Sequence, residues 1–153
     1  MSTTEALYAV MIQITGDSLL LPNAAVSEVT ALDRFEPAGE GAPSWLSGWH
    51  ATAERRIPVL SFEALCGQPR PEAHKRARIV IVNPIGRRVG GGGFALLAQG
   101  HPHLISINRG TINGVNLLPG DKDELVLSRV RMAGQEALIP DLEQIETRLA
   151  GLA

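Results

Sequence analysis

Four groups of residues in this sequence have types and spacings that invite a chemical reading. They are "GGGG" at Gly90 to Gly93, "HPH" at His101 to His103, "DKDE" at Asp121 to Glu124, and the lone Cys66. A glycine run can cradle phosphate, but this one lacks the Lys-Ser/Thr of a P-loop and the spacing of a dinucleotide fingerprint, and apolar "FALLAQG" follows it. It predicts a tight bend or bulge in a strand. His101 and His103 would share one face of an extended strand, yet zinc needs further ligands and the one cysteine lies in the other half of the sequence. A solvated pair at a strand end is the better reading. Cys66 closes a helical turn, where a small buried hydrophobe is expected more often than a nucleophile. The acidic "DKDE" has too few apolar neighbours to raise a carboxylate pKa and reads as a solvated loop, with contact to a basic partner as the lesser alternative. No Ser-His-Asp order with an elbow motif is present. The expectation is a protein without catalytic residues, metal or cofactor. A small-molecule or metal-binding sensor, or a degenerate enzyme, using the Gly-rich and His-containing half is the alternative.

Trp45 and Trp49 differ in kind, because only 4% of the chain is aromatic and these two stand four residues apart beside a glycine. Core packing accounts for both most simply. Exposed tryptophan is also enriched among interface hot spots, so the interface reading stays open for one of them.

Composition narrows the partners. A formal net charge of -2 leaves no global attraction for nucleic acid or anionic membrane. No apolar run approaches the roughly 20 residues that a spanning helix needs. A single cysteine and the absence of a basic, then apolar, leader at the N-terminus predict a reducing, cytoplasmic location without membrane insertion.

The elements that must position these residues read mostly as strands. "YAVMIQIT" and "SLLLP" flank Gly16-Asp17 as a hairpin. Ala25, Val26, Val29 and Leu32 recur at helical spacing behind Asn23, predicting a short helix. "RFEPAGEGAPSW" is a Pro/Gly loop, and "SWLSGWHATAERRIPVLSF" predicts two strands joined around Ala53-Glu54. After the basic, Pro-containing linker "GQPRPEAHKRAR" the pattern restarts. "IVIVNPIGRRVGGGGFALLA" predicts a hairpin turning at Pro84 to Gly86, and "HPHLISI" a strand. "NRGTINGVNLLPGDKDE" is a long turn-rich loop, "LVLSRVRMAGQEALIP" a hairpin turning at Ala133-Gly134, and "DLEQIETRLAGL" a final helix with Asp141 at its N-terminal end.

The two halves superpose in register. Ser61 falls on Asp141, Phe62 on Leu142, Glu63 on Glu143 and Leu65 on Ile145, each 80 residues apart, while the hairpin tips at Gly16 and Gly86 are 70 apart. A unit this long is not a solenoid repeat. It predicts duplication of a small β-lobe.

In order and spacing, "LLLPNAAVSEVT", "SWLSG", "RRIPVLSFEALCG", "ARIVIVNPIGRRVG" and "ALIPDLEQI" resemble the CheW-like adaptor domain of bacterial chemosensory systems. The resemblance runs from about Tyr8 to Leu149, and "GW" followed by "LSFEALCG" is similar to the divergent ChpC-type adaptors of type IV pilus (twitching motility) clusters. It implies an all-β fold with a few short helices: two intertwined five-stranded SH3-like β-barrels in one CheW-like domain over 5–152. The first lobe would span about 8–66, a linker 67–77 and the second lobe about 78–130, followed by a hairpin and C-terminal helix over about 125–150. It implies further a non-enzymatic scaffold whose partners are a CheA-type histidine kinase and a methyl-accepting chemoreceptor. The family's "N-L-R-G" falls here on Ala51, Thr52, Ala53 and Glu54, so the Asn and Arg are both absent. Arg55 and Arg56 follow, and strand alternation lets at most one replace the missing cation. The expected partner-binding residues are therefore Trp49, Glu54, Arg55 and Arg56.

Overall fold

The computed structural model describes residues 7–52, 56–69, 71, 75–83, 93–107, 110, 112–119, 121, 124–132 and 134–150. Period-two alternation in the first residues makes β1 (Leu7–Ile14) and β2 (Asp17–Pro22), an antiparallel pair whose tip Gly16 takes φ +81°, a backbone conformation that favours glycine. There follow β3 (Val26–Thr30), β4 (Phe35–Pro37), β5 (Leu46–Ala51), β6 (Arg56–Leu60) and α1 (Phe62–Leu65). The second half repeats the series as β7 (Arg78–Val82), β8 (Phe94–Ala98), β9 (His103–Ile107), β10 (Ile112–Val115), β11 (Val126–Met132), β12 (Gln135–Pro140) and α2 (Leu142–Ala150).

These strands form two six-stranded sheets. The first runs β9-β1-β2-β12-β11-β10 and the second β3-β7-β8-β6-β5-β4. Replacing every strand by its counterpart six places along the chain turns one order into the other. The duplication is thus written into the topology, with the opening hairpins exchanged: β1-β2 joins the later strands of the second half, and β7-β8 joins those of the first. Each exchange is sealed by a parallel contact, Leu138 beside Leu19 and Val59-Leu60 beside Ala95-Leu96. Both copies even carry the same irregularity, a register shift between Leu46 and Gly48 in one and between Val126 and Ser128 in the other.

Three apolar clusters follow from strand alternation. The largest lies between the sheets and draws Val10, Ile12 and Leu21 from one, Leu60, Val80 and Phe94 from the other, and Phe62, Leu142 and Ile145 from the helices. Fully burying each such side chain contributes about 1.5–3 kcal/mol, so the exchanged hairpins are held by many contacts at once. Each sheet also has an inner cluster on its opposite face, around Ile57, Ile79 and Ile81 in the second sheet and Met11, Val130 and Ala137 in the first.

Several expectations are corrected. Each sheet has six strands, because the loops read at 34–45 and 108–124 contribute the short edge strands β4 and β10. The helix expected over Ala25 to Leu32 is a single 3-10 turn, Asn23–Ala25, followed by β3. Val26 and Val29 are β-branched and pair along β7, and that tertiary pairing overrides the helical spacing. Sheet membership crosses the contiguous lobe boundaries at 8–66 and 78–130, since the hairpin exchange is a long-range event that local pattern does not record. The turns at Ala53-Glu54 and Pro84–Gly86, and Gly90 to Gly92 of the glycine run, lie outside the described residues. Gly93 is described, is buried, and has φ +76° directly before β8.

Candidate functional site: the β4-β5-β6 edge

Cross-strand register brings four side chains to one face of the second sheet. Glu36 pairs with Trp49, Trp49 pairs with Pro58, and Arg56 lies two residues before Pro58 on β6, on the same side. The Arg56 guanidinium carbon sits 4.3 Å from the centroid of the Trp49 ring. Its Nη2 reaches Glu36 Oε1 at 3.5 Å, and both side chains are 56% exposed. Trp49 is half-buried, its body packed against the shared core. An aromatic fixed from behind and capped by a solvated cation forms a rigid, amphipathic contact surface.

Local sequence explains how this edge is set. Gly48 lies directly under the Phe35 ring: a Cβ there would fall 2.2 Å from the Glu36 carbonyl oxygen and 2.6 Å from the ring, so only glycine lets β4 approach. Pro37 ends β4, a device that blunts a sheet edge. Of the expected site residues, Trp49 and Arg56 are brought together, whereas Glu54 and Arg55 lie outside the described residues. Glu36 was missed because it belongs to a Pro/Gly segment with no strand pattern, and only its pairing with β5 reveals it.

The corresponding place in the first sheet holds a different arrangement. Arg129, which pairs with Leu138 as Trp49 pairs with Pro58, has a side chain only 4% exposed. It donates from Nη2 to Asp17 at 2.6 Å and from Nε and Nη2 to Asp121 at 2.9 Å each, and lies 3.4 Å from Glu136. These bonds, Asp121's above all, hold the guanidinium pKa above its ordinary value, and the hydrogen bond from Arg129 holds the Asp121 carboxyl below the usual range. Arg131 likewise depresses Glu136. Asp121, expected in a solvated loop, has a side chain 7% exposed. The correction has a physical reason, since its apolar surroundings and its cation both come from distant segments.

Beside this network a cleft of about 220 Å³ lies between the β1-β2 tip, α1 and the loop at Leu118, lined also by Cys66, Glu63 and Phe62. Glu63, 2% exposed, accepts from the Thr15 backbone N–H at 2.8 Å and from the Ser61 hydroxyl at 3.1 Å. With its charges bonded internally, the cleft works as a lock that ties the exchanged hairpin to both halves. Cys66 packs half-buried at the end of α1. His101 and His103 are exposed, and among the described residues no group of three or more His, Cys, Asp or Glu is placed to hold a metal ion. Among the same residues no helix is long and apolar enough to cross a membrane.

Two interlocked sheets, an internal polar lock and an exposed aromatic-cation edge define an all-β binding scaffold. The chain belongs to the CheW-like domain family, whose pattern it matches over residues 9–149. That family comprises scaffold proteins of chemotaxis signalling, not enzymes. The crystal structure of scaffolding protein TtCheW from Thermoanaerobacter tengcongensis has the same fold, with a TM-score of 0.73 at 17% identity over 93% of this chain and 90% of that one. No curated protein matches the sequence.

Proposed function

We propose that this protein is a non-enzymatic adaptor that couples a CheA-type histidine kinase to a methyl-accepting chemoreceptor in the cytoplasm, within an array that governs type IV pilus motility. The observation that carries this reading is the β4-β5-β6 edge, where Trp49, Arg56 and Glu36 present a rigid aromatic-cation surface on a family scaffold. Such a protein acts by geometry. Two sheets held in fixed relation display separate surfaces, and binding one partner raises the effective concentration of the other. The pilus assignment is supported by the "GW" and "LSFEALCG" similarity to ChpC-type adaptors and by loss of the family Asn and Arg at the first-half hairpin, which favours an altered receptor contact.

Calorimetric titration of the purified chain with the regulatory domain of the kinase encoded beside it tests the coupling. Micromolar binding that weakens in a Trp49→Ala, Arg56→Ala double variant is the expected result. No heat at high micromolar concentration would remove the coupling, and undiminished binding by the double variant would move the site elsewhere. Deletion of the gene should reduce twitching and leave swimming intact; the reverse phenotype would overturn the pilus assignment.

A further inference from the structure

The two sheets correspond strand for strand, yet their interiors are not equally filled. In the second sheet Phe35 pairs with His50, and its ring lies across Gly48 and packs against the inner cluster. That cluster is closed, with Ile57, Val59, Ile79 and Ile81 at 2% exposure or less. In the first sheet β10 takes the place of β4, and Val115 pairs with Arg129 as Glu36 pairs with Trp49. Gly114 therefore stands where Phe35 stands. The aromatic plug is absent, and a Cβ built on Gly114 meets nothing within 4 Å.

The consequence is visible in burial. Met11 and Ile107 are 9% and 8% exposed, and Ile105, Ile112, Met132 and Ile139 are only partly buried. On this face a groove of about 430 Å³ opens beside Met11 and Ile105, with Gln13, Ser18, His103 and Gln135 at its mouth. Its base is apolar, its rim polar and without carboxylates or permanent cations, and the edge strand β10 offers a glycine where another backbone can approach closely.

We propose that the inner face of the first sheet receives one bulky apolar side chain, phenylalanine or leucine, carried on an uncharged segment of a partner protein laid across Gly114. The occupant is indicated by the molecule itself, because its own second copy fills the matching space with Phe35. Such an anchor seated in a pre-formed apolar recess and rimmed by polar groups is the arrangement that dominates binding energy at protein interfaces. This surface lies on the other sheet from the Trp49-Arg56 edge, so it stands or falls independently of kinase coupling there.

The test is an unbiased selection of random decapeptides on the immobilised full chain, followed by titration of the winners against wild type and Gly114→Phe. Winners should share a phenylalanine or leucine flanked by neutral residues, shift the methyl resonances of Met11, Ile105 and Met132, and bind Gly114→Phe at least tenfold more weakly. Gly114→Ala, which leaves the recess open, should bind as wild type does and controls for folding, together with unchanged circular dichroism of the phenylalanine variant. Failure to enrich any sequence, enrichment of charged peptides without a bulky apolar residue, or equal binding by wild type and a folded Gly114→Phe would overturn the proposal. So would methyl shifts as strong with toluene as with the peptides, which would assign the groove to a small apolar ligand.

Discussion

Trp49 and Arg129 occupy the same place in the two copies of this fold, 80 residues apart, each on the strand after a register shift and each facing a residue at the start of the next strand, Arg56 or Glu136. From one ancestral position the two halves have drawn opposite uses. In the second sheet the aromatic stays at the surface with its cation outside it. In the first the cation has moved inward and taken up carboxylates from three segments.

The surface use predicts a variant that affects binding without affecting folding. Arg56 is solvated, and its contacts with Trp49 and Glu36 are each worth about 1 kcal/mol or less. Arg56→Ala should leave the thermal midpoint within a few degrees of wild type and weaken binding of the kinase regulatory domain about tenfold, equivalent to about 1.4 kcal/mol. Differential scanning fluorimetry and calorimetry on the same preparation read both quantities.

The buried use predicts the reverse. Arg129→Ala would leave Asp121 and Asp17 facing each other without their cation, and breaking a buried pair from one side typically costs about 3 kcal/mol or more. For a chain of this size that corresponds to a fall in Tm of about 6–12 °C. Thermal melts at neutral pH check it, and a loss under about 1 kcal/mol would mean that water replaces the guanidinium.

The same network sets an acid limit. Asp121 has its folded-state pKa depressed, chiefly by the Arg129 hydrogen bond. Its contribution is therefore fully present above the unfolded value of about 3.9 and is lost as pH falls through the lower folded value. Stability measured by denaturant between neutrality and strong acid should decline below about pH 4. Asp121→Asn should show a flatter decline from a lower starting point, and an identical slope would exclude Asp121 as the titrating group.

Gly48 and Gly114 separate backbone tolerance in the two edge strands. Gly48→Ala drives a methyl into the Glu36 carbonyl and the Phe35 ring. It should destabilise by about 1–3 kcal/mol and loosen the Trp49 edge. Gly114→Ala enters open space and should change stability by less than about 0.5 kcal/mol.

What the sequence revealed, and what it concealed, divides along the range of the interactions. The β1-β2 and β11-β12 hairpins were legible because their tips carry Gly16 and Gly134, at φ +81° and +80°, between alternating runs. So was α2, whose Asp141 accepts from the Gln144 backbone N–H at 3.2 Å. The exchange of hairpins was not legible, since Leu138-Leu19 and Val59-Ala95 are contacts between distant segments with no local signature. Trp49 and Arg56 could be named from an aromatic-poor composition and a motif, whereas Glu36 needed β4 to be seen as a strand. Arg129 did leave a trace: aligned 80 residues on from Trp49, an arginine at an inward strand position would have marked it.

The repeat also explains a difference between its own copies. Ser61 and Asp141 both cap the helix that follows them, Ser61 Oγ accepting from the Ala64 N–H at 3.2 Å as Asp141 does from Gln144. As caps the two residue types are nearly equivalent, so capping alone does not account for the serine. Ser61 is fully buried and gives its proton to Glu63, itself 2% exposed and engaged by Thr15. An aspartate there could not donate and would set a second carboxylate against a buried one; in the second half Glu143 is exposed, and Asp141 meets no such conflict. Ser61→Asp should therefore destabilise the fold by at least about 2 kcal/mol, since it loses a bond to a charged group and adds a buried like charge. The double variant Ser61→Asp, Glu63→Gln should recover most of that loss, because the amide can donate to the new carboxylate. Equal melting temperatures for Ser61→Asp and wild type would show that the serine reflects drift and not the buried glutamate beside it.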